Sequence, residues 1–192
     1  WDAATPFMDA QRAMKIIRTR AGEFGLDPAR IGIMGFSAGG HLAGFTALQP
    51  ARALYAGADR FEQTSARPDF AVLLFPVVSL RKPFDTTRTR REIIGEKPNA
   101  KAEADWSLDT HVSAEAPPTI IFAAADDETT PPGHGILLFE KLIAAGGNAE
   151  LHMFRNGGHG WGLGNPGQVV SQWPALFMQW AASLEFIKKQ GE

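Results

Sequence analysis

The sequence predicts an α/β fold, a parallel sheet covered by helices on both faces, and three observations carry that prediction. Residues 70–75 and 119–123 are near-continuous apolar runs bounded by turn residues, the pattern of strands buried on both faces rather than one. Such runs alternate along the chain with segments whose apolar residues recur at helical spacing. Between a third apolar run, 31–34, and a helical segment stands Gly35-Phe36-Ser37-Ala38-Gly39, a serine flanked by small residues where a strand turns sharply into a helix.

The elements follow in order. Phe7, Ala10, Met14, Ile17, Ala21 and Phe24 share one side of a 3.6-residue period, with Asp9, Arg12, Lys15 and Arg18 away from it. This predicts an amphipathic helix over about 7–22, with Pro6 tolerated in its first turn and Gly22 and Gly25 closing it. The turn 27–30 leads to the strand at 31–34, expected near the middle of the sheet because its run does not alternate. The helix after Ser37 carries Leu42, Phe45 and Leu48 and stops at Pro50.

The strand at 70–75 ends before Pro76. From 79 to 115 the pattern loosens, with short helical candidates at 88–94 and 100–104; a crossover of this length is either a lid or pocket wall, or plain connection. Pro117 and Pro118 precede the strand at 119–123. A helix over 134–145 presents Ile136, Phe139, Leu142 and Ile143 inward, and 149–154 is the next strand. The last helix begins near Trp173 and carries Leu176, Phe177, Trp180, Leu184 and Ile187 at helical spacing.

Composition removes several function classes. The 192 residues, 44% apolar and 21% charged, are enough for one domain with its own core. Net charge is -2, and no basic block marks a nucleic-acid surface; Arg88-Thr89-Arg90-Arg91 reads as a solvated helix start. Without cysteine there is no disulfide framework, thiolate nucleophile or zinc–thiolate site, and the five histidines have no compact metal-binding spacing. No stretch approaches the eighteen apolar residues of a membrane span. None of this separates a cytoplasmic from a periplasmic or secreted location. The chain opens at Trp1 with no strand before its first helix, so a processed or truncated N-terminus is expected.

The chemistry gathers around Ser37. At the carboxyl end of a parallel strand and the start of a helix, its hydroxyl sits beside free N–H groups that favour developing negative charge. Gly35 and Gly39, with Ala38 and Gly40, keep the turn uncrowded. A serine nucleophile needs an imidazole to take its proton and a carboxylate to orient that imidazole, both in loops after later strands. His159, inside Gly157-Gly158-His159-Gly160, has the setting to approach the serine; His41, His111, His134 and His152 lie in helices, a strand or plain loop. Asp126, Asp127 and Glu128 follow the strand at 119–123, and spacing alone does not choose among them. Two buried adjacent carboxylates repel, so one of the aspartates faces solvent or caps the following turn.

Gly35-Phe36-Ser37-Ala38-Gly39-Gly40-His41-Leu42-Ala43, Asp126-Asp127 before a proline, and Gly157-Gly158-His159-Gly160 together resemble the α/β-hydrolase superfamily. More narrowly they resemble small carboxylesterases related to acetylxylan esterases and hormone-sensitive-lipase-like esterases. The resemblance covers essentially the whole chain, so residues 1–192 are expected to form one catalytic domain without a cofactor. It implies Ser37 as nucleophile, His159 as base, Asp127 as acid and the Ala38 N–H as an oxyanion donor. Phe36, Trp106 and Trp161 are candidate pocket walls. It also implies an early glycine-rich oxyanion loop and N-terminal strands that this sequence lacks, so the chain looks like the C-terminal portion of the fold, completed by a separate or omitted segment.

The expected activity is hydrolysis of small acyl esters, with acetyl groups on a polysaccharide such as xylan as one substrate. The alternatives are a serine peptidase resembling prolyl oligopeptidases, which share the triad order, and a non-catalytic hydrolase-like binding protein.

Overall fold

Four strands lie side by side in chain order: β1 (Ile33–Phe36), β2 (Ala71–Leu74), β3 (Thr119–Ala124) and β4 (Ala149–Phe154). The computed structural model describes residues 2–57 and 59–187. All three pairings are parallel, so each strand must be followed by a crossover. Those crossovers hold α2 (Ala38–Leu48), then α3 (Arg88–Ile94) and α4 (Ala100–Trp106), then α5 (Gly133–Ala144). The helix α1 (Thr5–Thr19) precedes the sheet and α6 (Trp173–Ser183) follows it. Ile33 pairs with Ala71, Ala71 with Thr119 and Thr119 with Ala149. Starting in register, the strands deliver the loops after their carboxyl ends to one edge of the sheet.

Side chains alternate across a strand, and here the alternation feeds two cores. Ala71, Leu73 and Ile121 face Phe7 of α1, Phe45 of α2, and Leu138 and Leu142 of α5. Val72, Leu74, Ile120 and Phe122 face the other way, onto Trp173 and Trp180 of α6. β2 and β3 are buried along their whole lengths, the expected outcome for strands covered on both faces.

The details depart from sequence patterning in instructive places. β1 begins two residues later than its apolar run and lies at the edge of this sheet, not near its middle. With a strand on one side only, Met34 and Phe36 are 42% and 38% exposed. On α5 the inward face is His134, Leu138 and Leu142, one residue per turn, while Ile136 and Ile143 point outward. A polar histidine holds the first of those inward positions, which hides the stripe from a hydrophobic pattern.

On α1 the buried set is Phe7, Gln11 and Met14, because the Gln11 amide donates to the carbonyls of Gln49 and Arg52; Phe24, beyond the helix, is exposed. The outer face of α1 is tied down by charge, Arg12 and Lys15 meeting Glu62 and Arg18 meeting Asp69. α6 stops at Ser183, yet Leu184, Phe186 and Ile187 still pack onto its core. No described helix is long and apolar enough to cross a membrane.

Candidate active site

β1 hands over to α2 through Ser37, whose φ of 54° and ψ of -118° place a non-glycine residue in strained backbone. The strain is held by hydrogen bonds. Ser37 N–H donates to Leu74 O at 2.9 Å, and Ser37 O accepts from His41 N–H at 3.1 Å and Val77 N–H at 3.4 Å. Gly35 is required for contact reasons, since a Cβ there would lie 2.0 Å from the Gly39 carbonyl oxygen. Gly40 is less confined, a Cβ there standing 3.0 Å from Pro76. Gly39 is different from expectation: a Cβ at 39 would meet nothing within 4 Å, because that residue faces a cavity rather than the strand.

His159 reaches Ser37 from the loop after β4. Its Nε2 lies 2.8 Å from Ser37 Oγ and its Nδ1 2.8 Å from Asp127 Oδ2. Asp127 is 4% exposed, and its other oxygen, Oδ1, accepts the N–H groups of Thr129 at 2.9 Å and Thr130 at 2.8 Å. The two carboxylates after β3 therefore divide differently from a simple inside–outside pair. Buried Asp127 caps the following turn as well as meeting the imidazole, while exposed Asp126 accepts from Gly157 N–H and Gly158 N–H in the histidine loop.

The far side of the imidazole rests on Phe75, ring centroids 4.8 Å apart, and Phe75 packs edge-on against Trp161. Phe75, at φ 38°, is a second strained residue and was hidden in the sequence as the end of an apolar run. A cavity of about 900 Å³ opens in front of Ser37, lined by Ala38 and Gly39, by Pro6 and Phe7 of the first helix, by Val77, by Thr129 and Thr130, and by Thr87–Ile93 residues of the long crossover. Ala38 opens α2, so its N–H belongs to the first-turn set without intrahelical acceptors.

The three aromatics read as pocket walls do not line this cavity. Phe36 shares the face of Leu74 and packs on Phe75 and Trp173. Trp161 packs on Phe75 and Phe154, and Trp106 stacks on Phe45 in the core beneath α2, with Arg52 over its ring. Among the described residues no cluster of His, Asp or Glu side chains is arranged to hold a metal ion.

Two further histidines grip the segment after β2. His41 Nδ1 donates to Val77 O at 3.0 Å, whereas His134 Nδ1 accepts Val78 N–H at 3.0 Å and Ser79 N–H at 3.3 Å. Both rings are buried. Burial pushes His41 down to about 4, against the opposing pull of its bond to Val77. Burial, then the nearby His41, brings His134 to about 4, with Asp109 pulling the other way. Both rings are thus neutral, and a proton on His134 Nδ1 would confront two N–H donors.

The unfolded chain, with histidines near 6.5, takes up protons first as pH falls. Their contribution to stability is complete above about 6.5 and is lost as pH falls toward about 4, at most on the order of 3 kcal/mol per ring. Thermal unfolding should show a lower Tm at about pH 5 than at about pH 7.5, and His134→Asn, which keeps an acceptor at the Nδ1 position, should narrow that difference. Equal Tm values for the parent protein at both pH values would contradict the account.

Comparison with known proteins settles the lineage. The BD-FAE family model matches residues 2–142, most of the chain. The chain belongs to the BD-FAE family. Its sheet and strand–elbow–helix are those of an α/β-hydrolase. This BD-FAE chain is 34% identical to the acetyl ester-xyloside bifunctional hydrolase of Caldicellulosiruptor lactoaceticus, with a TM-score of 0.90 over 97% of this chain and 68% of that one. It is 28% identical to a thermophilic esterase of Thermogutta terrifontis, with a TM-score of 0.83 over 100% of this chain and 68% of that one. The acetylxylan esterase of Xylanibacter ruminicola is 28% identical over 168 residues, covering 85% of this chain and 32% of the relative. The chain thus spans about a third of the length of that curated relative.

Proposed function

We propose that this chain carries the catalytic centre of a serine carboxylesterase acting on small acyl esters through an acyl-enzyme. The observation behind the reading is a single imidazole within 2.8 Å of both a strained serine hydroxyl and a buried carboxylate, beside an open cavity. Ser37 Oγ attacks the acyl carbon as His159 Nε2 takes its proton, and Asp127 holds the Nδ1–H and stabilises the imidazolium. Negative charge on the carbonyl oxygen is met by the Ala38 N–H and the positive end of α2. His159 then protonates the departing alcohol. Water, deprotonated by the same nitrogen, attacks the acyl group, and Ser37 leaves with the proton returned.

Acetyl groups on a carbohydrate such as xylan are the substrate class we favour, supported by the acetyl ester-xyloside hydrolase and acetylxylan esterase among the similar proteins. The wall formed by Thr87, Arg88, Thr89 and Glu92 would offer the hydroxyl-bearing alcohol side polar contacts, which gives the crossover at 79–115 its role as a pocket wall. A panel of acetyl, propionyl and butyryl esters, acetylated xylan and proline-containing peptides tests this. Ester turnover falling with acyl length is expected; peptide turnover without ester turnover would replace the reading with a peptidase.

In the same reading, further polypeptide of the fold pairs with β1 and brings a second oxyanion donor. The exposed Met34 and Phe36 at that edge support this, as does the 68% coverage of the solved relatives. An active species whose native mass equals that of the 192 residues alone would refute it.

A further inference from the structure

Of the adjacent aspartates after β3, Asp127 meets the imidazole and Asp126 does not. Asp126 is exposed, where a carboxylate ordinarily has nothing to hold, yet its Oδ1 accepts two backbone bonds, from Gly157 N–H and Gly158 N–H, each at 2.8 Å. Those two amides immediately precede His159. Gly157 is also closely packed: a Cβ there would stand 2.5 Å from Val170 Cγ1 and 3.1 Å from both Ala124 and Trp161.

His159 is flanked by glycines in left-handed backbone, Gly158 at φ 59° and Gly160 at φ 74°. Glycines in such conformations have the widest choice of alternatives, so the loop keeps one shape only through the bonds it makes. The Gly158 amide, then that of Gly157, holds the Asp126 carboxyl below its usual range, so the ionised acceptor is the form that binds.

We propose that Asp126 is a positioning residue for the base: it anchors the backbone ahead of His159 and so sets the reach of Nε2 to Ser37, while Asp127 sets the ring's orientation. The two aspartates follow β3 in the turn at its end, and both serve the same histidine, Asp127 through its ring and Asp126 through the two amides that precede it. The inference rests on the esterase reading above. A shift of about 1 Å in a reacting group is enough to cost on the order of 100-fold in rate, so a loop anchor is sufficient to matter without touching substrate.

The test compares the intact natural protein with Asp126→Ala and Asp126→Asn, using p-nitrophenyl acetate turnover and amide hydrogen exchange at Gly157 and Gly158. Asp126→Ala should lower kcat by about 10- to 100-fold with KM changed less than about twofold. It should also speed exchange at the two glycine amides by more than about tenfold while the β3 amides keep their protection. Asp126→Asn keeps an acceptor oxygen and should recover to within about threefold of the parent in both readouts.

Parent-like kcat and parent-like exchange in Asp126→Ala would overturn the proposal, as would an asparagine variant as slow as the alanine one with its glycine amides still protected. If the alanine variant does not fold, Asp126→Ser, whose shorter hydroxyl cannot span both amides, is read in the same way. A parent protein inert toward esters would sink the esterase reading, and the exchange measurement would still decide whether Asp126 holds the loop.

Discussion

Ser37→Ala is expected to remove at least about 10³-fold of kcat/KM toward a small acyl ester while leaving the fold in place. The size follows from the loss of the only atom positioned to attack; what remains is water acting beside an intact α2 N-terminus and cavity. The fold should tolerate the change because, among the described residues, Ser37 Oγ bonds only to His159, and the bonds that hold the strained elbow run through the Ser37 main chain. Alanine at φ 54° bears strain similar to that of serine. Steady-state kinetics with a circular dichroism melt checks both halves. Retained turnover would mean that another nucleophile does the work.

Asp127→Asn should be comparably severe, on the order of 10³- to 10⁴-fold, for a reason visible in the three partners of its carboxylate. Oδ1 is committed to the amides of Thr129 and Thr130, and Oδ2 to His159 Nδ1. An asparagine must keep its oxygen toward the two N–H groups, which turns its NH₂ toward the imidazole. His159 Nδ1 then becomes an acceptor, the ring proton moves to Nε2, and the nitrogen facing Ser37 can no longer accept a proton. The variant should fold normally and show the altered tautomer by nitrogen chemical shift. Asp126→Asn, retaining an acceptor for its two glycine amides, should be far milder. If the ranking of the two asparagine variants were reversed, Asp126 would be the orienting acid and the geometry around Asp127 would need another explanation.

What the sequence made legible was whatever is written locally. The strand–serine–helix passage declares itself within ten residues, and the alternation of apolar runs with helical stripes is enough to predict a parallel sheet with two covered faces. The contacts that tune the site run across distance. Nothing in Asp126-Asp127 says that one side chain will reach the ring of His159 and the other the amides of the two glycines just before it. Phe75 looks like a sixth strand residue until its φ turns it under His159.

Patterning also reads polarity where packing reads shape. His134 leads the buried face of α5 and Gln11 lies on that of α1, each because the structure supplies partners for its polar atoms. Ile136 and Ile143 were the better hydrophobic signal and lie outside. Trp106 drew notice as an aromatic in a crossover, but Phe7, Phe45 and Arg52, far off in sequence, pack against its ring.

The central claim is that Ser37, activated by His159, forms the covalent bond to substrate. The most direct measurement is to incubate the intact protein with a fluorophosphonate ester, digest it, and locate the adduct by mass spectrometry while following residual esterase activity. The account predicts one adduct per catalytic site, on Ser37, formed in step with loss of turnover and nearly abolished by His159→Ala. Complete inactivation with the label on a different serine, or full labelling of Ser37 with turnover unimpaired, would contradict it.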